Sequence, residues 1–305
     1  MKWIEIRACF EAEDTWLAEE LVSDIFFTLG LKGVVCSTPL PEPDDGFQRD
    51  SPSGSTANAV SGYLPASERS EGILTALEEK FDTLKEHGIA VTITTKTIDQ
   101  EEWAESWKAF FYAARITDRI VVKPAWRDFD AEPGDIIVEI DPGMAFGTGT
   151  HETTSMCLAM IEEYLEPGNS FFDVGTGSGI LMIAAAKLGA KRMTGIDNDE
   201  VAVAIARENL EKNRIPSETY QVLHNTIEHT DVEPFDLVTA NILAEVIIDI
   251  LPDIRKRVKP GGTAVFSGII QEKKEAVLSE LAKNDFCVIS TRTMGEWVAL
   301  SAKPM

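Results

Sequence analysis

Cysteine is scarce in this 305-residue chain, and what there is stands apart. Cys9, Cys36, Cys157 and Cys287 form no C-x-x-C pair and have no histidine at metal-ligand spacing. Reduced thiols are therefore expected, with no disulfide framework, no zinc and no other metal site. Basic residues are also few: 28 Lys and Arg face 51 Asp and Glu, a formal net charge of −23. Gripping a nucleic-acid backbone needs clustered cations, so no direct nucleic-acid binding is expected and a basic protein partner fits better. No apolar run approaches the roughly 20 residues of a membrane-spanning helix, which argues against a membrane role. The opening M-K-W-I-E-I-R-A alternates like a strand and lacks the apolar block of a signal peptide, so a cytoplasmic location is expected.

What is present suffices for two cores. The first hundred residues are densely acidic, with 8 Lys and Arg against 18 Asp and Glu. Their patterning repeats strand, helix, strand. Trp3 to Phe10 alternates, Thr15 to Leu29 has helical periodicity ending at Gly30, and Gly33 to Ser37 is β-branched. Ala59 to Leu64, Ser70 to Glu86 and Ile89 to Thr97 follow in the same order, which predicts a β-α-β-β-α-β ferredoxin-like sandwich. The stretch between the repeats, rich in Pro, Gly, Ser and acids, is expected to be a mobile loop. Gln100 to Ala114 carries Trp103, Trp107, Phe110 and Phe111 at helical spacing and reads as a connecting helix whose aromatics pack between domains.

After strands at Ile120–Pro124 and Asp135–Ile140, the chain from Ser170 alternates strand and helix, which predicts a helix-covered parallel sheet. A helix over Ala244–Val258 should break near Pro252. Phe286–Thr293 and Glu296–Ala302, joined by Met-Gly, should form an antiparallel hairpin at a sheet edge. The predicted division is 1–98 as a ferredoxin-like recognition domain, 99–119 as a linker helix, and 120–305 as a doubly wound, mostly parallel seven-stranded α/β domain. A monomer is expected.

The chemistry concentrates in F-F-D-V-G-T-G-S-G-I-L, where a short strand ends at Asp173 and Gly175, Gly177 and Gly179 make a turn into a helix. Glycines there let the backbone approach a ligand. Asp197 follows at about the offset that sets a carboxylate on ribose hydroxyls. Dinucleotide sites use G-x-G-x-x-G, but here Ile180 stands where the last glycine would fall, and Asp173 before the turn would repel a phosphate. A carboxylate there suits an ammonium, so S-adenosyl-L-methionine, cationic and without phosphate, is the better electrostatic match. The plainer reading, a turn whose glycines merely permit packing, fits the glycines but leaves Asp197 unexplained.

D-P-G-M-A-F-G-T-G-T-H-E-T-T, D-V-G-T-G-S-G-I-L, G-I-D-N-D, A-N-I-L-A and S-G-I-I together resemble the ribosomal protein L-eleven methyltransferase family from about Asp135 onward. The first hundred residues resemble it in layout more than in motif. Glu152, where the family usually has proline, and Thr176, where it often has cysteine, depart from the pattern and bear on loop stiffness more than on reaction type. The resemblance implies an S-adenosylmethionine-dependent transfer of methyl groups to lysine side chains or the α-amine of the large-subunit ribosomal protein L-eleven. It implies a loop of Phe146, Gly147, Thr148, Gly149, Thr150 and His151 folding over the cofactor, with Thr154 bonding to it and Asn198 beside Asp197. Phe146 would offer an apolar face near the methyl donor. Asn241 is placed at the cofactor and active-site wall, and its amide can orient an incoming amine without adding charge.

Each of these residues also has a structural reading. Thr150 suits a helix N-cap. His151 suits a structural hydrogen bond, so no general base is assigned to it. Asn241 suits a strand-end turn. The other functional readings are a methyltransferase of the same fold acting on another protein or a small amine, and a non-enzymatic binder that keeps the pocket.

Overall fold

The computed structural model describes residues 2–12, 15–29, 31, 34–36, 58–66, 70–99, 112–141 and 151–305. The proline- and serine-rich stretch, most of the aromatic Gln100–Ala114 segment, and Phe146 to Thr150 lie outside the described residues. The chain forms two compact units, Met1–Tyr112 and Ala113–Met305.

In the first unit, β1 (Lys2–Glu11), α1 (Thr15–Thr28), β2 (Val34–Cys36), β3 (Ala59–Pro65), α2 (Ser70–Thr83) and β4 (Ala90–Asp99) follow in order. The four strands pair antiparallel as β2-β3-β1-β4, the ferredoxin-like arrangement. Alternation along β1 sends Ile6, Ala8 and Phe10 to one face, where Ala18, Val22 and Phe26 of α1 meet Leu77 and Phe81 of α2. The Phe26 and Phe81 rings meet edge to face at 5.5 Å. Gly62 makes room for that seam: a Cβ there would come within 2.6 Å of Leu31 and 2.8 Å of Phe26.

The second unit opens with a small sheet, β5 (Ala114–Arg115), β6 (Ile120–Pro124) and β7 (Ile136–Ile140), in which β6 and β7 run parallel. Ala114 thus belongs to a strand and not to the predicted connecting helix. The two carboxylate oxygens of Asp135 accept from Nη1 and Nη2 of Arg115, at 2.7 and 2.9 Å, and tie the ends of this sheet together.

The main body follows α3 (Glu152–Tyr164). It comprises β8 (Ser170–Val174), α4 (Ile180–Lys187), β9 (Arg192–Asp197), α5 (Glu200–Lys212), β10 (Tyr220–His224) and β11 (Phe235–Asn241). It continues with α6 (Ala244–Arg257), β12 (Val258–Ile270), α7 (Lys274–Lys283), β13 (Phe286–Met294) and β14 (Trp297–Pro304). The seven strands are ordered β10-β9-β8-β11-β12-β14-β13, parallel except that β14 runs against both neighbours. Central β8 is buried along its whole length, as a parallel strand covered on both faces must be. Phe171 turns toward the core under α3, α4 and α5, while Phe172 turns toward that under α6 and α7.

The predicted break at Pro252 does not occur, and α6 runs through it. Proline removes one amide donor, yet Ile247, Ile250, Leu251 and Ile254 bury the inner face of the helix on both sides of it. Val258, expected at the end of that helix, instead begins β12, with a register shift where Phe235 and Leu237 pair with it.

Candidate active site

The strand order reverses at β8, between β9 and β11, and in doubly wound sheets such a point opens a crevice at the carboxyl ends of the strands. Asp173, Asp197 and Asn241 occupy those ends on β8, β9 and β11.

Gly175, Gly177 and Gly179 all have left-handed backbone, with φ of 75°, 53° and 80°, a conformation that L side chains resist. The amides of Gly175 and Thr176 both donate to the carbonyl of Ile196 at 2.9 Å. From the end of β9, Asp197 accepts the Gly177 amide at 2.9 Å through one oxygen and the Asp199 amide at 3.0 Å through the other. One acid thus fixes the turn and the entry to α5 together. Asn198 beside it is exposed, and its carbonyl lies 3.1 Å from His224 Nε2.

Asp173 is fully buried. Thr176 Oγ1 donates to its Oδ2 at 2.9 Å, and Thr239 Oγ1, on β11, donates to its Oδ1 at 2.6 Å. Burial pushes its carboxyl up to about 7, the two threonine bonds oppose that rise, and the charge of Asp197 adds to it.

At the end of β11, Asn241 Nδ2 lies 3.4 Å from Thr154 Oγ1 in the first turn of α3. The neighbouring carbonyl of Thr153 accepts from buried Ser267 on β12 at 3.2 Å. His151, and not Thr150, is the N-cap of α3: Nδ1 accepts the Thr153 amide at 3.3 Å and lies 2.8 Å from Thr153 Oγ1. Its ring meets Trp297 edge to face at 5.2 Å.

Three contributors went unread in the sequence. Thr239 links Asp173 to the strand of Asn241. Asn209, fully buried within α5, donates to the Ser178 carbonyl at 2.9 Å and exchanges hydrogen bonds with the backbone of Asp141 at 3.0 and 3.1 Å, locking the glycine turn to the end of β7. Gly268, at φ 81°, sits where a Cβ would run into the backbone of Ile242, so the exit from Asn241 can lie flat on β12. Cys157 is fully buried, and burial above all lifts its thiol to about 12, which disfavours the thiolate a nucleophile needs. A polar residue on the otherwise apolar face of Ala202, Val203, Ala206 and Leu210 was the available signal for Asn209.

The seven-stranded order with one reversed strand, the glycine turn, the acid closing the second strand and the asparagine closing the fourth together define a methyltransferase of the doubly wound class. Residues 2–304 match the family model described as Ribosomal protein L11 methyltransferase (PrmA). The chain is 55% identical over 303 residues to the ribosomal protein L11 methyltransferase of Desulforapulum autotrophicum, covering 99% of each chain. It is 45% identical over 308 residues to that of Desulfosudis oleivorans, again with 99% of each covered. A crystal structure of ribosomal protein L11 methylase from Lactobacillus delbrueckii subsp. bulgaricus superposes with a TM-score of 0.60 at 31% identity, covering 64% of this chain and 99% of that one. The chain belongs to the ribosomal protein L11 methyltransferase family.

Proposed function

We propose that this protein transfers methyl groups to amines of ribosomal protein L11, on lysine side chains or at the amino terminus, using S-adenosylmethionine as donor. The observation that carries the reading is the joining of Asp173, Asp197, the glycine turn and Asn241 at one switch point, in a chain matched by the family over residues 2–304.

The donor set fits that cofactor. Each oxygen of Asp197 accepts one amide and keeps a second lone pair for a ribose hydroxyl. The turn presents backbone and two carboxylates, a surroundings that favours a cation over a phosphate. S-adenosylmethionine supplies a methyl group on a positively charged sulfur. Thr154 and Asn241 complete the wall, with the Asn241 amide turned by Thr154 so that its carbonyl oxygen can accept from the incoming amine. A free lysine has a pKa of about 10.4, so the site must take its amine neutral, which desolvation favours by penalising the ammonium. The chain's contribution is then alignment more than proton transfer, and no general base is assigned.

The acidic first unit, 1–98, would dock the basic acceptor, and the segment 99–119 would connect it to the catalytic unit 120–305. The enzyme would act as a monomer in the cytoplasm. Incubation with methyl-labelled donor and a ribosomal extract tests the reading. One labelled band at L11, fading at high salt as docking to an acidic surface requires, supports it. Label on another protein or on small amines overturns the acceptor, and no label at all overturns the enzyme.

A further inference from the structure

Asp173 is held in an unusual way for a buried acid. Its oxygens are claimed by two hydroxyls from different elements, Thr176 in the glycine turn and Thr239 on β11. The other groups acting on it from the packed elements are the carboxylate of Asp197 on β9 and, from α3, the thiol of Cys157, itself bonded to Ser267 of β12. None of these is a cation. An unpaired buried carboxylate favours its neutral form, and a neutral carboxyl offers no charge to an ammonium. The two threonine hydroxyls are thus what favours the charged form before a ligand arrives. Thr239 also lies two residues before Asn241 on the same face of β11, so a single strand sets both the acid and the amide.

We propose that Thr239 is a positioning residue of the methyl-donor site, acting through Asp173: with Thr176 it holds the carboxylate oriented and ionised to receive the ammonium of the donor's methionine moiety. The proposal rests on the reading of this site as one for S-adenosylmethionine. Val in place of Thr239 keeps the shape and removes the donor, whereas Ser keeps the donor. Losing one hydrogen bond to a buried charge raises the pH at which that charge forms by about one unit.

Calorimetric titration of S-adenosylhomocysteine, which retains the ammonium, into the full-length protein between pH 5.5 and 8.5 reads this directly. Affinity of the wild type rises with pH. The midpoint for Thr239→Val lies about one pH unit higher, giving roughly tenfold weaker binding near neutrality and convergence with wild type at the alkaline end. Thr239→Ser restores the wild-type profile. An unshifted midpoint, or a loss equal at every pH that Ser does not rescue, overturns the proposal and leaves Thr239 a packing residue. Should Thr239→Val fail to fold, Thr176→Ala must move the midpoint the same way, and an unmoved midpoint there overturns it equally. A wild type that binds no S-adenosylhomocysteine would remove the donor reading itself, an outcome distinct from a wild type that binds and variants that match it.

Discussion

Asn241 Nδ2 and Thr154 Oγ1 lie 3.4 Å apart across 87 residues of sequence, one closing β11 and the other in the first turn of α3. The contact sets Asn241 Nδ2 toward the first turn of α3. Asn241→Ala should reduce kcat by about 10²-fold, the scale of a misaligned reactant, while the thermal midpoint stays near wild type. Thr154→Val should produce a smaller fall in the same parameter. Stopped-time assays on purified L11 check both, and a change confined to KM would show that Asn241 only binds.

The elevated carboxyl of Asp173 makes stability depend on pH. An unfolded aspartate titrates near 3.8 and the folded one near 7. Between those values the native state keeps a proton that the unfolded chain has released, so stability falls as pH rises through that window and the loss is complete above it. Asp173→Asn removes the effect. Its melting temperature should exceed that of wild type by more at pH 8 than at pH 4, at about 2–4 °C per kcal/mol for a unit of this size. Scanning calorimetry at the two pH values decides; an equal difference would mean that Asp173 titrates normally.

His151 caps α3 and meets Trp297 edge to face. His151→Ala should cost about 1 kcal/mol of stability, as the loss of a cap does. Turnover should fall by less than tenfold, well short of the ~10²–10⁴ that a general base contributes. A larger fall in kcat under saturating donor would restore His151 as an acid–base group.

Gly268 has no room for a Cβ and has left-handed backbone. Gly268→Ala should destabilise the protein by about 1–3 kcal/mol or more and, by lifting Ile242, displace Asn241 and depress methyl transfer. Denaturant unfolding measured alongside activity tests the pair. Full activity at reduced stability would separate the packing from the site.

The sheet and the glycine turn at its carboxyl end were legible in the sequence because their signals are local. Apolar runs of strand length, three glycines within five residues, and an acid a fixed distance downstream all lie inside single windows. The residues that hold the site were not. Thr239 meets Asp173 across 66 residues, Asn209 meets Asp141 across 68, and Ser267 meets Thr153 across 114. Nothing nearby marks Thr239 as more than another β-branched strand residue. Pro252 misled for the converse reason: its local preference is strong, but the buried face of α6 extends past it on either side.

The reversed strand of the large sheet has a consequence for assembly. Translation delivers β12, then β13, then β14, whereas the finished sheet seats β14 between the other two. The flank of β12 therefore stays unzipped after β13 has emerged, and it is sealed only when β14 threads in between the two. Until then the growing polypeptide carries a sticky margin, the segment most in need of shelter from premature pairing with another nascent chain.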